Sequence, residues 1–97
     1  MIILFIGEHM NEQETEELIK KISEEMDLLI NDFNVPKNVR TSISEAKAKL
    51  NEIGEYNMRI SAATYNIDNV SNDINLQPQA RTVLWNILSM LESIKKE

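Results

Sequence analysis

"NDFNVPKNVRT", residues 31–41, and "NDINLQPQART", residues 72–82, are one phrase written twice, 41 positions apart. Aligned without a gap, Asn, Asp, Asn, Arg and Thr recur in register. The same offset runs from Met26/Ile67 to Ile53/Ile94 with 8 identities in 28 positions, among them Asp27/Asp68, Leu50/Leu91 and Ile53/Ile94. Asn and Asp bond local backbone groups and tolerate left-handed conformations, so such clusters punctuate a chain as turns. The phrase therefore marks the turns of two similar αα-hairpins. Pro36 and Pro78 fall one position out of register, so the turns are expected to be alike without being superimposable.

The flanking residues have helical periodicity. A first helix is expected over residues 11–31: Asn11 and Glu14 have capping-box spacing, and Leu18, Ile19, Ile22, Met26, Leu29 and Ile30 follow one face. A second is expected over residues 36–53, with Val39, Ile43, Ala46, Leu50 and Ile53 spaced 4-3-4-3, Pro36 in the first turn and Gly54 just past the end. Tyr56, Ile60, Ala63, Ile67 and Val70 repeat that spacing in a third, over residues 55–71. Ala80, Leu84, Ile87, Leu91 and Ile94 repeat it in a fourth, over residues 78–95, which Val83 and Leu88 widen. Each helix has one apolar stripe to bury, and short connections make neighbours antiparallel. The expected fold is all-α: an up-down-up-down four-helix bundle over residues 11–97. Forty-odd residues per pair also resembles a HEAT-type repeat, but two uncapped repeats make an incomplete solenoid.

Ninety-seven residues make one domain with one modest core. No cysteine rules out disulfides and thiolate zinc sites, and one histidine, His9, cannot form a His-pair site. No glycine-rich phosphate loop is written. Di-metal carboxylate bundles need inward acids with paired histidines; here Glu14, Glu17, Glu24 and Glu25 read as a solvated face. No catalytic residue, metal site or cofactor is therefore expected. The net charge of −6 is concentrated early, with seven acids and two lysines over residues 11–30 against eight of each sign from residue 31 onward. That balance disfavours nucleic-acid backbones and anionic membrane surfaces.

Residues 1–10 form an apolar leader. It is too short to span a bilayer and lacks the features of a signal peptide, so a cytoplasmic location is expected. Residues 1–6 read either as an extended segment packing on the helices or on a second chain, or as translated upstream DNA. Gly7-Glu8-His9 can be encoded by a purine-rich ribosome-binding sequence, which would put the start at Met10.

Two groups of residues are candidates for function. Arg40 and Arg81 stand in first turns, where the helix dipole disfavours a cation. Pairing with Asp32 and Asp73 would explain them as turn ties. Left unpaired, they would join Lys37 and two helix N-termini as an anion site at one end. "NMRIS", residues 57–61, echoes "NVRTS", residues 38–42, but puts Arg59 at the other end. Trp85, with Asn86 beside it and Arg81 one turn away to stack on its ring, reads as a half-buried groove filler or as an exposed anchor for a partner.

At "PQARTVLWN", residues 78–86, with "SND" at residues 71–73 and Val35-Pro36 before Asn38-Val39-Arg40, the chain resembles an uncharacterised archaeal family of short all-helical proteins. The resemblance implies a four-helix bundle and brings no activity. The family's usual pattern lacks the leader, in keeping with a start at Met10. The expected function is a small non-catalytic protein-interaction module, binding an unidentified protein through the Arg81–Trp85 surface or the acidic first helix. The alternative is a nucleic-acid-associated or anion-binding accessory protein using the Lys37, Arg40 and Arg81 end. A homodimer through residues 1–6 or one helix face is a further expectation.

Overall fold

The structure, a computed structural model, describes residues 10–94. Expectations for residues 1–6, His9, Lys95 and Lys96 lie outside them. The described residues are all-α, with four helices: α1 (Glu12–Ile30), α2 (Lys37–Leu50), α3 (Tyr56–Val70) and α4 (Pro78–Ile94). Among the described residues no helix is long and apolar enough to cross a membrane.

Local chemistry accounts for where the helices begin and end. Asn11 caps α1: its Oδ1 accepts from the Glu14 N–H at 2.7 Å, and the Asn11 N–H donates back to Glu14 Oε1 at 3.1 Å. Such a cap is worth about 1 kcal/mol. Pro36 precedes α2 and Pro78 opens α4; in both places a missing N–H costs nothing.

One expectation fails at the end of α2. The apolar period runs through Ile53, but the helix stops at Leu50 and Ile53 is fully exposed. Asn51 is the cause. Its Nδ2 donates to Lys47 O at 2.8 Å and to Ser23 Oγ on α1 at 3.0 Å, which satisfies a terminal carbonyl and anchors the chain before another turn can form. Gly54 then takes φ +145°, a conformation that side chains disfavour.

The core is one cluster fed by all four helices and by Val35 and Leu76 from the turns. Its positions obey the 41-residue offset. Ile19, Ile22, Met26 and Leu29 of α1 match Ile60, Ala63, Ile67 and Val70 of α3. Val39, Ile43, Ala46 and Leu50 of α2 match Ala80, Leu84, Ile87 and Leu91 of α4. Each helix packs on its neighbours in the chain and α1 also packs on α4, while the backbones of α1 and α3, and those of α2 and α4, stay apart. The contacts thus close into a ring.

Polar ties cross the seams of the ring. Lys47 Nζ of α2 reaches Asp27 Oδ1 of α1 at 2.8 Å. Asn66, buried on α3, accepts from Lys49 Nζ at 3.0 Å and donates to Glu45 Oε1 at 3.2 Å, both on α2. At the end that holds the starts of α1 and α3, Met10, Thr15, Gly54, Tyr56 and Ile94 line a cleft of about 610 Å³.

Candidate functional site

The two written phrases fold into two copies of one turn at the opposite end. In residues 31–36, the Asp32 N–H donates to Leu29 O at 3.2 Å and the Val35 N–H to Asp32 O at 3.0 Å. The Asn34 N–H reaches the Asp32 carboxylate at 2.9 Å. Forty-one residues on, Asp73 to Val70, Leu76 to Asp73 and Asn75 to the Asp73 carboxylate are made at 3.1, 3.1 and 2.8 Å. The shifted proline does not disturb the match, because Pro36 and Gln77 each use only a carbonyl, accepting from the Arg40 and Arg81 N–H groups.

The arginines tie these turns by chemistry other than that expected. Arg40 Nε donates to Val35 O at 3.0 Å. Arg81 Nη2 donates to Leu76 O at 3.3 Å and to Asp73 O at 3.0 Å, while its buried Nε finds no partner. Among the described residues the ion pairs are Lys47–Asp27 and Arg59–Glu16, so neither Asp32–Arg40 nor Asp73–Arg81 is a carboxylate bridge. The guanidinium groups serve backbone carbonyls of the turns, those of Val35 and Leu76 and, as a second donor, that of Asp73, and the aspartates are occupied by the N–H groups of Asn34 and Asn75.

Asp73 also joins the two turns. Asn38 Nδ2, in the first turn of α2, donates to Asp73 Oδ2 at 3.0 Å. That bond, then the Asn75 N–H, hold the Asp73 carboxyl below its ordinary value of 3.8, and nearby Arg81 adds to the shift. A carboxylate of the chain itself is therefore bonded at the start of α2, where the sequence suggested a site for a foreign anion. Lys37 is exposed at the same end.

Among its polar residues this end holds two apolar side chains out to solvent. Phe33 and Ile74 hold the same place in the two turns and are 86% and 92% exposed. The Arg40 guanidinium carbon lies 5.4 Å from the Phe33 ring centre, within cation–π range. Trp85 is 57% exposed on α4, so it does not fill a groove between helices, and Asn86 is exposed beside it. The arginine–ring contacts among the described residues are Arg40–Phe33 and Arg59–Tyr56; Arg81 does not stack on Trp85.

Arg59 repeats the device at the other end. Its Nε donates to Leu50 O at 3.0 Å, and its guanidinium lies 4.9 Å from the Tyr56 ring and 3.7 Å from Glu16. The Tyr56 hydroxyl donates to Glu16 Oε2 at 2.6 Å, and that bond leads the causes that raise its pKa above 10.0. Phe33, Ile74 and the shared role of Arg59 are absent from the expected site. The signals for them are the apolar residue between Asp and Asn in both phrases, and the third echo of the arginine.

A family model described as an uncharacterised protein family, UPF0147, matches residues 6–94. The chain belongs to the UPF0147 family. The match begins at Ile6, within the leader set apart above. A UPF0147 protein of Methanocaldococcus jannaschii, MJ1419, is 37% identical over 93 residues, covering 95% of this chain and all of that one. One from Archaeoglobus fulgidus is 37% identical over 79 residues, covering 81% of this chain and 91% of its own. Two crystal structures are similar. MMP1188, a protein of unknown function, superposes with TM-score 0.81 at 33% identity over 90% of this chain and 100% of its own. A UPF0147 protein from Thermoplasma acidophilum gives 0.77 at 32% identity, covering 82% of this chain and 95% of its own. These relatives bear out the resemblance to an uncharacterised archaeal family, and they carry no function.

Proposed function

We propose that this chain is an up-down-up-down four-helix bundle of two αα-hairpins with a common origin, acting in the cytoplasm as a small non-catalytic module that binds a protein partner through its turn-bearing end. The closed ring of contacts favours the bundle over an open HEAT-like stack. The hydrogen bonds and core positions repeated at one offset favour the duplication.

One observation carries the binding surface. Phe33 and Ile74 are held out at equivalent points of two turns whose arginines and aspartates are already bonded internally. A pair of apolar side chains on a rigid frame suits a protein hot spot, since little ordering remains to be done on binding. Trp85, one turn beyond Arg81, extends the surface. The anion-binding alternative retains Lys37 and two helix N-termini, but the Asp73 carboxylate opposes it.

Affinity capture from a native archaeal lysate tests the reading, with and without nuclease. The expected result is a protein partner that survives nuclease and is lost with the double variant Phe33→Asp/Ile74→Asp while far-UV circular dichroism is unchanged. Capture that disappears with nuclease, or with Lys37→Glu alone, supports the anion-binding reading instead.

A further inference from the structure

Charges around the end of α2 are unequally committed. Lys49, Glu52, Glu55 and Arg59 line a groove of about 300 Å³ between that end and α3. Both cations are engaged. Arg59 is mostly buried, lies 3.7 Å from Glu16 and is bonded to Leu50 O. Lys49 gives its Nζ to Asn66, and the same amide donates to Glu45, so an acid stands beside that cation. Glu52 and Glu55 are exposed, and neither enters an ion pair among the described residues. Exposed Glu12 shares the adjoining hollow with Glu52. Among the described residues the rim is therefore net acidic. Inside it the surface is apolar. Ile53, fully exposed since α2 stops short, lines the groove with Met58 and Ala62. Tyr65 follows Met58 at i+7, and both are mostly exposed. Large exposed apolar residues that cluster in this way mark an interaction surface.

We infer that this face docks a basic amphipathic helix of a partner protein. The groove specifies both properties. Its apolar strip calls for apolar side chains every three or four residues, which a helix lays along α3. Its free acids call for cations on the flanks of that helix, and a chain of net charge −6 draws cationic partners from a distance. An acidic helix, α1 of a second copy included, meets Glu52 and Glu55 with like charge. The unbranched, flexible side chain of Met58 adapts the floor to the apolar residues it receives. From Met58 to Tyr65 the strip is about 10 Å long, so the complex is small and transient, and salt weakens it. Ile53 and Met58 lie toward the end opposite Phe33 and Ile74, so the module has a separate face for each of two partners.

Isothermal titration calorimetry of the full chain tests this with synthetic peptides of about 15 residues. A Leu/Lys amphipathic peptide is expected to bind, and to bind less tightly at high salt. A Leu/Glu peptide of the same pattern is expected not to bind, nor is a Gln/Lys peptide that keeps the charge without the apolar face. Ile53→Ser/Met58→Ser should weaken the Leu/Lys peptide about tenfold, and Glu52→Gln/Glu55→Gln should weaken it several-fold. Thermal melts should not change, because all four side chains are exposed. Phe33→Asp/Ile74→Asp should leave binding intact, which separates this face from the turn-bearing end. Undiminished binding by Ile53→Ser/Met58→Ser overturns the inference, as does a Gln/Lys peptide that binds as tightly as Leu/Lys. Binding lost with Glu17→Gln/Glu24→Gln assigns the peptide to α1 and overturns it too. So does a mass in sedimentation equilibrium that rises toward two copies and stops rising in Ile53→Ser/Met58→Ser, which gives the face to a second chain.

Discussion

Arg40, Arg59 and Arg81 are each the fourth residue of a helix, where the dipole disfavours a cation; Arg40 and Arg81 aim their guanidinium groups at carbonyls of the preceding turn, and Arg59 aims its own at the carbonyl of Leu50, the last residue of α2. A charged donor to a carbonyl is worth about 1.5–3 kcal/mol. Arg40→Ala and Arg81→Ala are therefore expected to lower stability by about 1–3 kcal/mol each in urea unfolding. High salt should leave that loss largely in place, because a short, part-buried bond to a carbonyl is screened less than a surface ion pair. A loss that vanishes in salt would restore the carboxylate pairing. Asp73 adds a pH signature. Its pKa is lowered on folding, so its contribution is complete above about 3.8 and fades as the pH falls through the folded value. Asn38→Ala removes the largest cause, and the acid-unfolding curve should become shallower below pH ~4. The sequence revealed that these arginines needed a partner. Which acceptor each would choose depends on how the turn backbone folds, and residue types do not encode that.

At the scale of the element, periodicity placed all four helices, and three of them end within a residue of where the pattern stops. The exception is α2, where apolar spacing continued to Ile53 while the helix ended at Leu50. Periodicity reports which residues are able to share a face. It does not report the bond from Asn51 to Ser23, two residues that meet only after α1 and α2 have packed. The exposed Phe33 and Ile74 were missed for a related reason: an apolar residue in a turn looks the same on the page whether it turns inward, as Val35 does, or outward. Gly54 permits a direct check. An added Cβ would meet nothing within 4 Å, so any cost of Gly54→Ala is backbone strain alone, about 1–3 kcal/mol at this φ. In the same urea titration Ile53→Ser should fall within about 0.5 kcal/mol of the parent. A neutral Gly54→Ala would mean that the loop relaxes at no cost.

For the whole molecule, the doubled phrase told of two hairpins, and the ring of contacts adds how they meet. The cleft that Met10 and Ile94 share with Gly54 has a topological consequence. The first described residue, the last one and the loop between the hairpins all come together there. A circular permutant that joins Ile94 to Met10 by a short linker and opens at Gly54 would run α3–α4–α1–α2, and every helix would keep its neighbours. Its melting temperature should lie within about 8 °C of the parent, the equivalent of about 1 kcal/mol in a domain this size. Chain order would then be a detail of the molecule, and the unit that folds would be a hairpin that recognises a near-copy of itself.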